Sequence, residues 1–417
     1  MIPRLPLGFA SLLAGATLLA GCGAPAAVTG SSGAPGVAVV APTPPDVTIS
    51  PSDHAAGVPL DAPVTVSSIT GSLTTVAVTR AGDATAPVPG TLSSDAKTWR
   101  ATDGLDPSAE YQVTATAIGA GGTHTSARAT FATMSSSSVS GRLLTTSLPP
   151  DGSTVGVGEP IDLRFNTPIP QAQQESIVRH LQVVSTPPQP GAWHWFSPSE
   201  IHYRPAQYWQ TGTKVTVTAN FHGVNAGNGI WGLAGWSNTF SVGDKHVSIL
   251  SDVTHQMQVY QNDKLLYTWP ISMGKPGFET LSGNLIVLYR TYKIKMNSCQ
   301  TFGGAACVPG SVNYYDDYVY YDTAISTNGF FIHSAPWSVA SQGHVDVSHG
   351  CVNLSEANAT TFYNWSLPGD VVQISPTVNV ADINNGEADW QIPFAQFDNT
   401  GVPAPVVTPN GALPGGA

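Results

Sequence analysis

Apolar and polar positions alternate at period two along much of this chain. In Glu110–Ile118, Tyr111, Val113, Ala115 and Ala117 share one face while Gln112, Thr114 and Thr116 share the other, the mark of a half-buried strand. Ala62–Val66 and Lys97–Arg100 follow the same rule. Short runs of this kind, separated by turn formers, fill residues 46–134 and predict a β-sandwich. The serine run 135–138 marks a boundary, after which Ile161, Leu163 and Phe165, then Val215, Val217, Ala219 and Phe221, predict a second sandwich over 135–243. Trp193, Trp195, Trp209, Trp231 and Trp236 gather there; they read as core and edge packing, with a glycan-stacking platform as the alternative.

A third unit, 244–376, has a different grammar. Met257–Tyr260, the pair Asn262-Asp263 and Lys264–Tyr267 read as a β-hairpin. Further strands are expected at Leu285–Tyr292, Phe330–His333 and Val371–Ile374. One helix should start at Ser355, an N-cap with Glu356 in the first turn, and run to about Trp365 before Pro368-Gly369 stops it. Between Tyr292 and Asn328 lies a long Gly- and Ser-rich stretch bearing Tyr314, Tyr315, Tyr318, Tyr320 and Tyr321. A connection of that length is expected to serve as a lid. Residues 377–417 form a C-terminal extension with one anchored patch, Asp389–Phe394, before a Pro/Gly-rich end expected to be disordered.

Composition sharpens this. Charged residues make up only 10% of the chain, with 42 Gly and 34 Pro, which favours β-rich domains with tight connections over long helices. A net charge of −11 argues against nucleic acid as a partner. Residues 1–22 carry Arg4, the apolar run Leu5–Leu19 and then Leu19-Ala20-Gly21-Cys22, the form of an export signal too short to span a membrane. The LAGC tetrapeptide resembles a bacterial lipobox, which implies lipid attachment at Cys22 and tethering to the outer face of the cytoplasmic membrane; a plain signal peptide is the alternative. Residues 23–45 are small, Pro-rich and uncharged, a linker. Of the remaining cysteines, Cys299 and Cys307 sit in one loop that can close on itself, which would leave Cys351 as a free thiol in an oxidising compartment.

Chemistry concentrates in FFIHSAPWSVASQGHVDVSHGCVNLS, residues 330–355. Cys351 is a candidate nucleophile, and His333 at a strand end a candidate base. The backbone of His349, Gly350 and Cys351 can form a tight turn whose amides face a developing oxyanion, with Gly350 allowing the close approach. Such a site favours acyl transfer through a thioester. The His-Gly-Cys spacing suits no common zinc pattern, so no metal or cofactor is expected, and His344 reads as a solvated loop residue.

His333 followed by Ser348-His349-Gly350-Cys351-Val352-Asn353 resembles the L,D-transpeptidases with a YkuD-type catalytic domain. Ile271–Gly277 is similar to the family's S-x-G-K turn, and His333–Ser338 matches as well. The order of lipobox, two immunoglobulin-like domains, catalytic domain and Trp-containing tail resembles actinobacterial multidomain members. The resemblance implies a mainly β architecture: two immunoglobulin-like sandwiches, then a mostly-β catalytic domain with a lid and one or two short helices. It assigns Cys351 as nucleophile, His333 as general base, the Ser334 carbonyl as the group orienting the imidazole, and His349, Gly350 and Cys351 as the oxyanion hole. Asn353 would support the site, and it would bind substrate together with Ser348, Trp337 and the lid residues Tyr315 and Met296. The implied reaction is 3→3 cross-linking of peptidoglycan stem peptides with release of D-Ala, and carbapenems are the implied inhibitors. The chain departs from the pattern at Cys299 and Cys307 in the lid, and at Ser334, where glycine is frequent.

Sortases share the His-before-Cys order but need a downstream Arg, and no Lys or Arg occurs after Lys295. NlpC/P60-type peptidases place Cys before His, the reverse of this order. An L,D-carboxypeptidase, an enzyme attaching or releasing wall-linked protein, and a non-enzymatic wall-binding spacer remain the alternatives. With Asp316 and Asp317 in the lid and no fixed cation downstream, the local sequence favours amidated stems.

Overall fold

The structure, a computed structural model, describes residues 42–383 and 385–402. The expected signal, the expected lipobox with Cys22 and almost all of the expected linker lie outside the described residues, as does the end of the extension. Pro45, assigned to the linker by its composition, is instead buried, its carbonyl accepting from Thr125 Oγ1 at 2.7 Å.

The first sandwich packs Thr48–Ser50, Thr65–Ser67, Thr98–Ala101 and Gly90–Leu92 against a five-stranded sheet. That second sheet runs Ala55–Val58, His124–Thr133, Glu110–Ile118, Ser72–Arg80, Asp83–Pro87. The predicted alternation holds in Glu110–Ile118: Tyr111, Val113, Ala115 and Ala117 are buried with Val66, Val78 and Phe131. Trp231, from the second sandwich, completes this core.

The second sandwich sets Thr145–Leu148, Ile161–Phe165, Glu200–Pro205 and Gly191–Ser197 over a second sheet. Its partners are Thr154–Val155, Trp236–Val242, Lys214–Ala219 and Leu181–Thr186. Trp193, Trp195, Trp209 and Trp231 are buried and Trp236 half-buried, so they are packing residues and offer no stacking platform. A helix at Gln171–Arg179 departs from the all-strand expectation. Its sequence is polar except at the end, where Ile177 and Val178 plug into the core.

In the third unit one sheet runs Lys264–Pro270, Gln256–Gln261, His246–Ser251, Val371–Ile374, Gly283–Ile286. The other runs Tyr289–Asn297, Asp316–Ala324, Phe331–Ser334, Val352–Leu354. Asn262 and Asp263 both adopt positive φ, as the hairpin between the first two strands requires. The single strand expected at Leu285–Tyr292 is broken. The Val287 amide donates to Asp370 O at 2.9 Å and the Leu288 amide to Ala324 O at 2.8 Å, so the chain leaves one sheet for the other there. Much of the expected lid connection is strand: Tyr289–Asn297 and Asp316–Ala324 form a ribbon, and residues 298–315 between them hold the short helix Ser298–Phe302, a tight turn at Gly304–Cys307 and loop. Ser355 caps Glu356–Trp365, which packs on Phe331–Ser334.

The C-terminal extension packs chiefly on the second sandwich. Arg204 lies under the Trp390, Phe394 and Phe397 rings at 4.5, 5.3 and 4.4 Å, and Trp390 Nε1 donates to Gly158 O at 2.7 Å. Gln391 reaches the other way, donating to Asn284 O at 2.9 Å in the third unit.

Candidate active site

Phe331–Ser334 and Val352–Leu354 pair in parallel, with His333 opposite Asn353. Parallel neighbours need a long crossover, and residues 335–351 supply it, delivering Cys351 to the start of the second strand. The sequence 271–275 runs behind the crossover. Ser272 and Asn353 exchange backbone hydrogen bonds at 3.2 and 2.9 Å, and the Lys275 amide donates to Ser348 O at 3.0 Å. The S-x-G-K stretch is thus the back wall of the nucleophile turn.

Ser348 builds that turn. Its hydroxyl donates to Cys351 O at 2.6 Å and accepts from the Gly350 amide at 3.0 Å. Gly350 sits at φ +123°, and a Cβ there would meet Phe330 Cε1 at 2.7 Å, so both conformation and space demand glycine. Because Ser348 Oγ takes the Gly350 amide, that amide is not free as an oxyanion donor, a correction to the expected hole. The His349 and Cys351 amides, for which no hydrogen bond is found among the described residues, are left for the role.

His333 is 3% exposed, and its Nδ1 donates to Ser334 O at 2.9 Å, which leaves Nε2 as the acceptor. Burial pushes this imidazole down to about 4. Cys351 is free and half-buried, its Sγ donating to Gly329 O at 3.7 Å. Burial pushes the thiol up to about 12; the Phe331 amide opposes that and the nearby Asp322 adds to it. Burial thus favours the neutral form of each group, the thiol and the imidazole.

The other expected residues divide by direction. Asn353 is buried and turned inward, its amide donating to Ser338 Oγ at 3.1 Å, and like Ser348 it holds the turn in place. Trp337 is 64% exposed with its ring 6.1 Å from that of His333, an open wall beside the base. Tyr315 lies over the His349 ring at 5.1 Å, bringing the lid loop to the nucleophile turn. Met296 lies opposite Asp317, one pair short of the end of the lid ribbon, and no described contact ties it to Cys351 or His333. His344 is exposed on the crossover. Cys299 and Cys307 are disulfide-bonded within the lid loop.

Sequence reasoning missed the surroundings of His349. Lys275 Nζ donates to His349 Nε2 at 3.1 Å and to Asn313 Oδ1 at 3.0 Å, with Phe278 and Phe302 packed on the same imidazole. Lys295 pairs with Asp316 at 3.1 Å. A fixed cation therefore does stand at the site, and one of the two lid acids is neutralised, which removes the grounds for favouring amidated stems. Lys275 lay in the S-x-G-K stretch, but nothing in its spacing linked it to His349. Asp322 was missed too. It is fully buried without a hydrogen bond of normal geometry, in a bulge facing His333's strand, and burial pushes it up to about 7.

The L,D-transpeptidase catalytic domain model matches residues 246–374, and a bacterial Ig domain model matches 55–225, across both sandwiches. L,D-transpeptidase 2 of Mycobacterium tuberculosis is 38% identical over 85% of this chain and 84% of its own length. The chain belongs to the L,D-transpeptidase family. L,D-transpeptidase 5 of the same species is 28% identical, over 88% of this chain and 80% of its own. A solved L,D-transpeptidase in complex with imipenem aligns with 55% of this chain and 97% of its own, at 27% identity and a TM-score of 0.47. As an L,D-transpeptidase, the protein acts in peptidoglycan cross-linking, and the immunoglobulin-like and catalytic domains make it mostly β as expected.

Proposed function

We propose that this L,D-transpeptidase forms 3→3 cross-links through a thioester on Cys351. The observation that carries the reading is the polarity of His333: Nδ1–H is committed to Ser334 O, so Nε2 presents its lone pair. The thiol, bonded at rest to Gly329 O, turns toward that lone pair as it attacks. Its proton passes to Nε2 while sulfur bonds to the carbonyl carbon of the third stem residue, and the negative oxygen faces the Cys351 amide. Collapse breaks the amide to the terminal D-Ala, whose amine takes the proton from His333. The side-chain amine of a second stem then attacks the thioester, gives its proton to His333, and the sulfur recovers that proton as the new amide forms. A β-lactam carbonyl enters by the same first step, so carbapenems would acylate Cys351.

The Cys299–Cys307 disulfide supports export to an oxidising compartment, and the LAGC tetrapeptide supports lipid attachment at Cys22 on the outer membrane face. Labelling with a radioactive fatty acid, in the natural protein and in Cys22→Ser, tests the anchor; equal label in both would remove it.

The reaction is tested by incubating the chain with a disaccharide-tetrapeptide and following mass. A cross-linked dimer with loss of D-Ala is expected. Tripeptide alone would make the protein a carboxypeptidase, and product from Cys351→Ala would exclude the thioester.

A further inference from the structure

The polar face of the second sandwich carries a cluster that catalysis does not use. Asp162 pairs directly with His202 across neighbouring strands, and Arg164 with Glu200, so all four side chains share one face. His202 Nε2 lies 3.2 Å from Glu200 Oε1 and 3.4 Å from Asp162 Oδ1. Its Nδ1 lies 3.1 Å from Asp389 Oδ2, on the C-terminal extension that covers this face. Glu387 also acts on His202, and Glu159 lies beyond it, acting on Glu387, Asp389 and Asp162, so four carboxylates face the histidine and a fifth backs them. Arg164 bonds Asp162 Oδ2 at 2.9 Å and Glu200 Oε1 at 2.8 Å.

We propose that Asp162, Glu200 and His202 form a binding site for one divalent transition-metal ion of the zinc class, which fastens the C-terminal extension to the second sandwich. Two observations besides the acidic residues support it. Asp162 is 1% exposed, yet its Oδ1, aimed at His202 and Glu200, takes no hydrogen bond of normal geometry. Two of the three separations, 3.2 and 3.4 Å, also have the size of ligand edges: four bonds of about 2.0–2.1 Å in a tetrahedron set neighbouring ligand atoms about 3.3–3.4 Å apart. The three ligand atoms all lie within 4.8 Å of one another. Asp389 on Nδ1 completes a carboxylate–histidine–metal arrangement, fixing the tautomer that presents Nε2. Glu200 is the one partly exposed member, so an ion would enter and keep a water ligand on its side. Arg164, itself half-exposed, can release Glu200 while retaining Asp162.

The rival account is a protonated His202 held by three carboxylates, and the two differ in metal uptake. Full-length protein carrying Cys351→Ala, so that the free thiol takes no part, is stripped with chelator. It is then dialysed against micromolar Zn²⁺, with bound metal counted and thermal unfolding followed. One ion per chain and a raised melting temperature are expected. Glu200→Gln and, separately, Asp162→Asn should each lose the bound ion, and Asp389→Asn should weaken it about 10–100-fold. No uptake, or uptake that both Glu200→Gln and Asp162→Asn leave unchanged, would overturn the site and establish the imidazolium.

Discussion

A neutral pair at Cys351 and His333, the form that burial favours, separates two reactivities that a preformed ion pair would merge. Burial holds the thiol at about 12 against an ordinary 9.0. At about pH 7 the thiolate fraction is then about 10⁻⁵, where an exposed cysteine has about 10⁻². A more basic thiolate is intrinsically more nucleophilic, which at a Brønsted coefficient of about 0.4–0.5 restores about 1.2–1.5 decades. Iodoacetamide, which needs free thiolate, should therefore alkylate Cys351 about 30–60-fold more slowly than a cysteine peptide, at a rate rising about tenfold per pH unit beyond about pH 10. Imipenem should behave differently, because His333 takes the proton during attack. Its acylation rate should be level from about pH 5 to about pH 10 and fall as His333 becomes protonated towards about 4. Both rates can be read by whole-protein mass spectrometry, since the remaining described cysteines are paired. His333→Ala should abolish acylation while changing alkylation only a few-fold. An alkylation rate already level above about pH 6 would show a thiolate–imidazolium pair and refute the reasoning.

Three further outcomes are expected. Gly350→Ala forces a side chain into positive φ against the Phe330 ring, so it should destabilise by roughly 2–4 kcal/mol and slow acylation at least about tenfold; a wild-type melting curve would contradict the turn geometry. Asp322 is raised from 3.8 to about 7, so the native state keeps a proton that the unfolded chain releases, and stability falls as pH rises between those values. Asp322→Asn should remove that loss, adding up to about 4 kcal/mol at about pH 8 and little at about pH 4; urea unfolding that shows equal gains at both would count against it. Lys275→Met removes the cation beside His349, and should raise KM about tenfold for free-carboxylate stems while sparing amidated ones; the opposite order in steady-state assays would sink the assignment.

The parts of the chain that announce themselves in sequence are those governed by local rules. Strand alternation in Glu110–Ile118, the N-cap at Ser355 and the positive-φ pair Asn262-Asp263 each follow from neighbours along the chain. The turn at Gly350 was also legible, and the candidates Cys351 and His333 stand out with it because all three fall within one stretch. What stayed hidden depends on long-range pairing. Lys275 reaches His349 only because the Ser272–Lys275 wall runs behind the crossover, and Asp322 faces the site only through a bulge opposite Phe331–Ser334. Helix Gln171–Arg179 escaped notice because its apolar residues crowd at one end and show no period. The buried tryptophans could not be told from an exposed platform until both sheets were in place.

The path of the C-terminal extension sets an order of assembly. A chain synthesised from its N-terminus completes the strands of the second sandwich well before residues 389–397 arrive. Until then Arg204 lacks its aromatic cover and His202 its Asp389 partner, so that sheet waits with charged groups facing solvent. Its last layer arrives only after the catalytic strands and the Cys351 turn have already emerged. Residues 389–397 therefore close a domain remote in sequence from the active site, and a product truncated before Asp389 would leave that sheet uncovered.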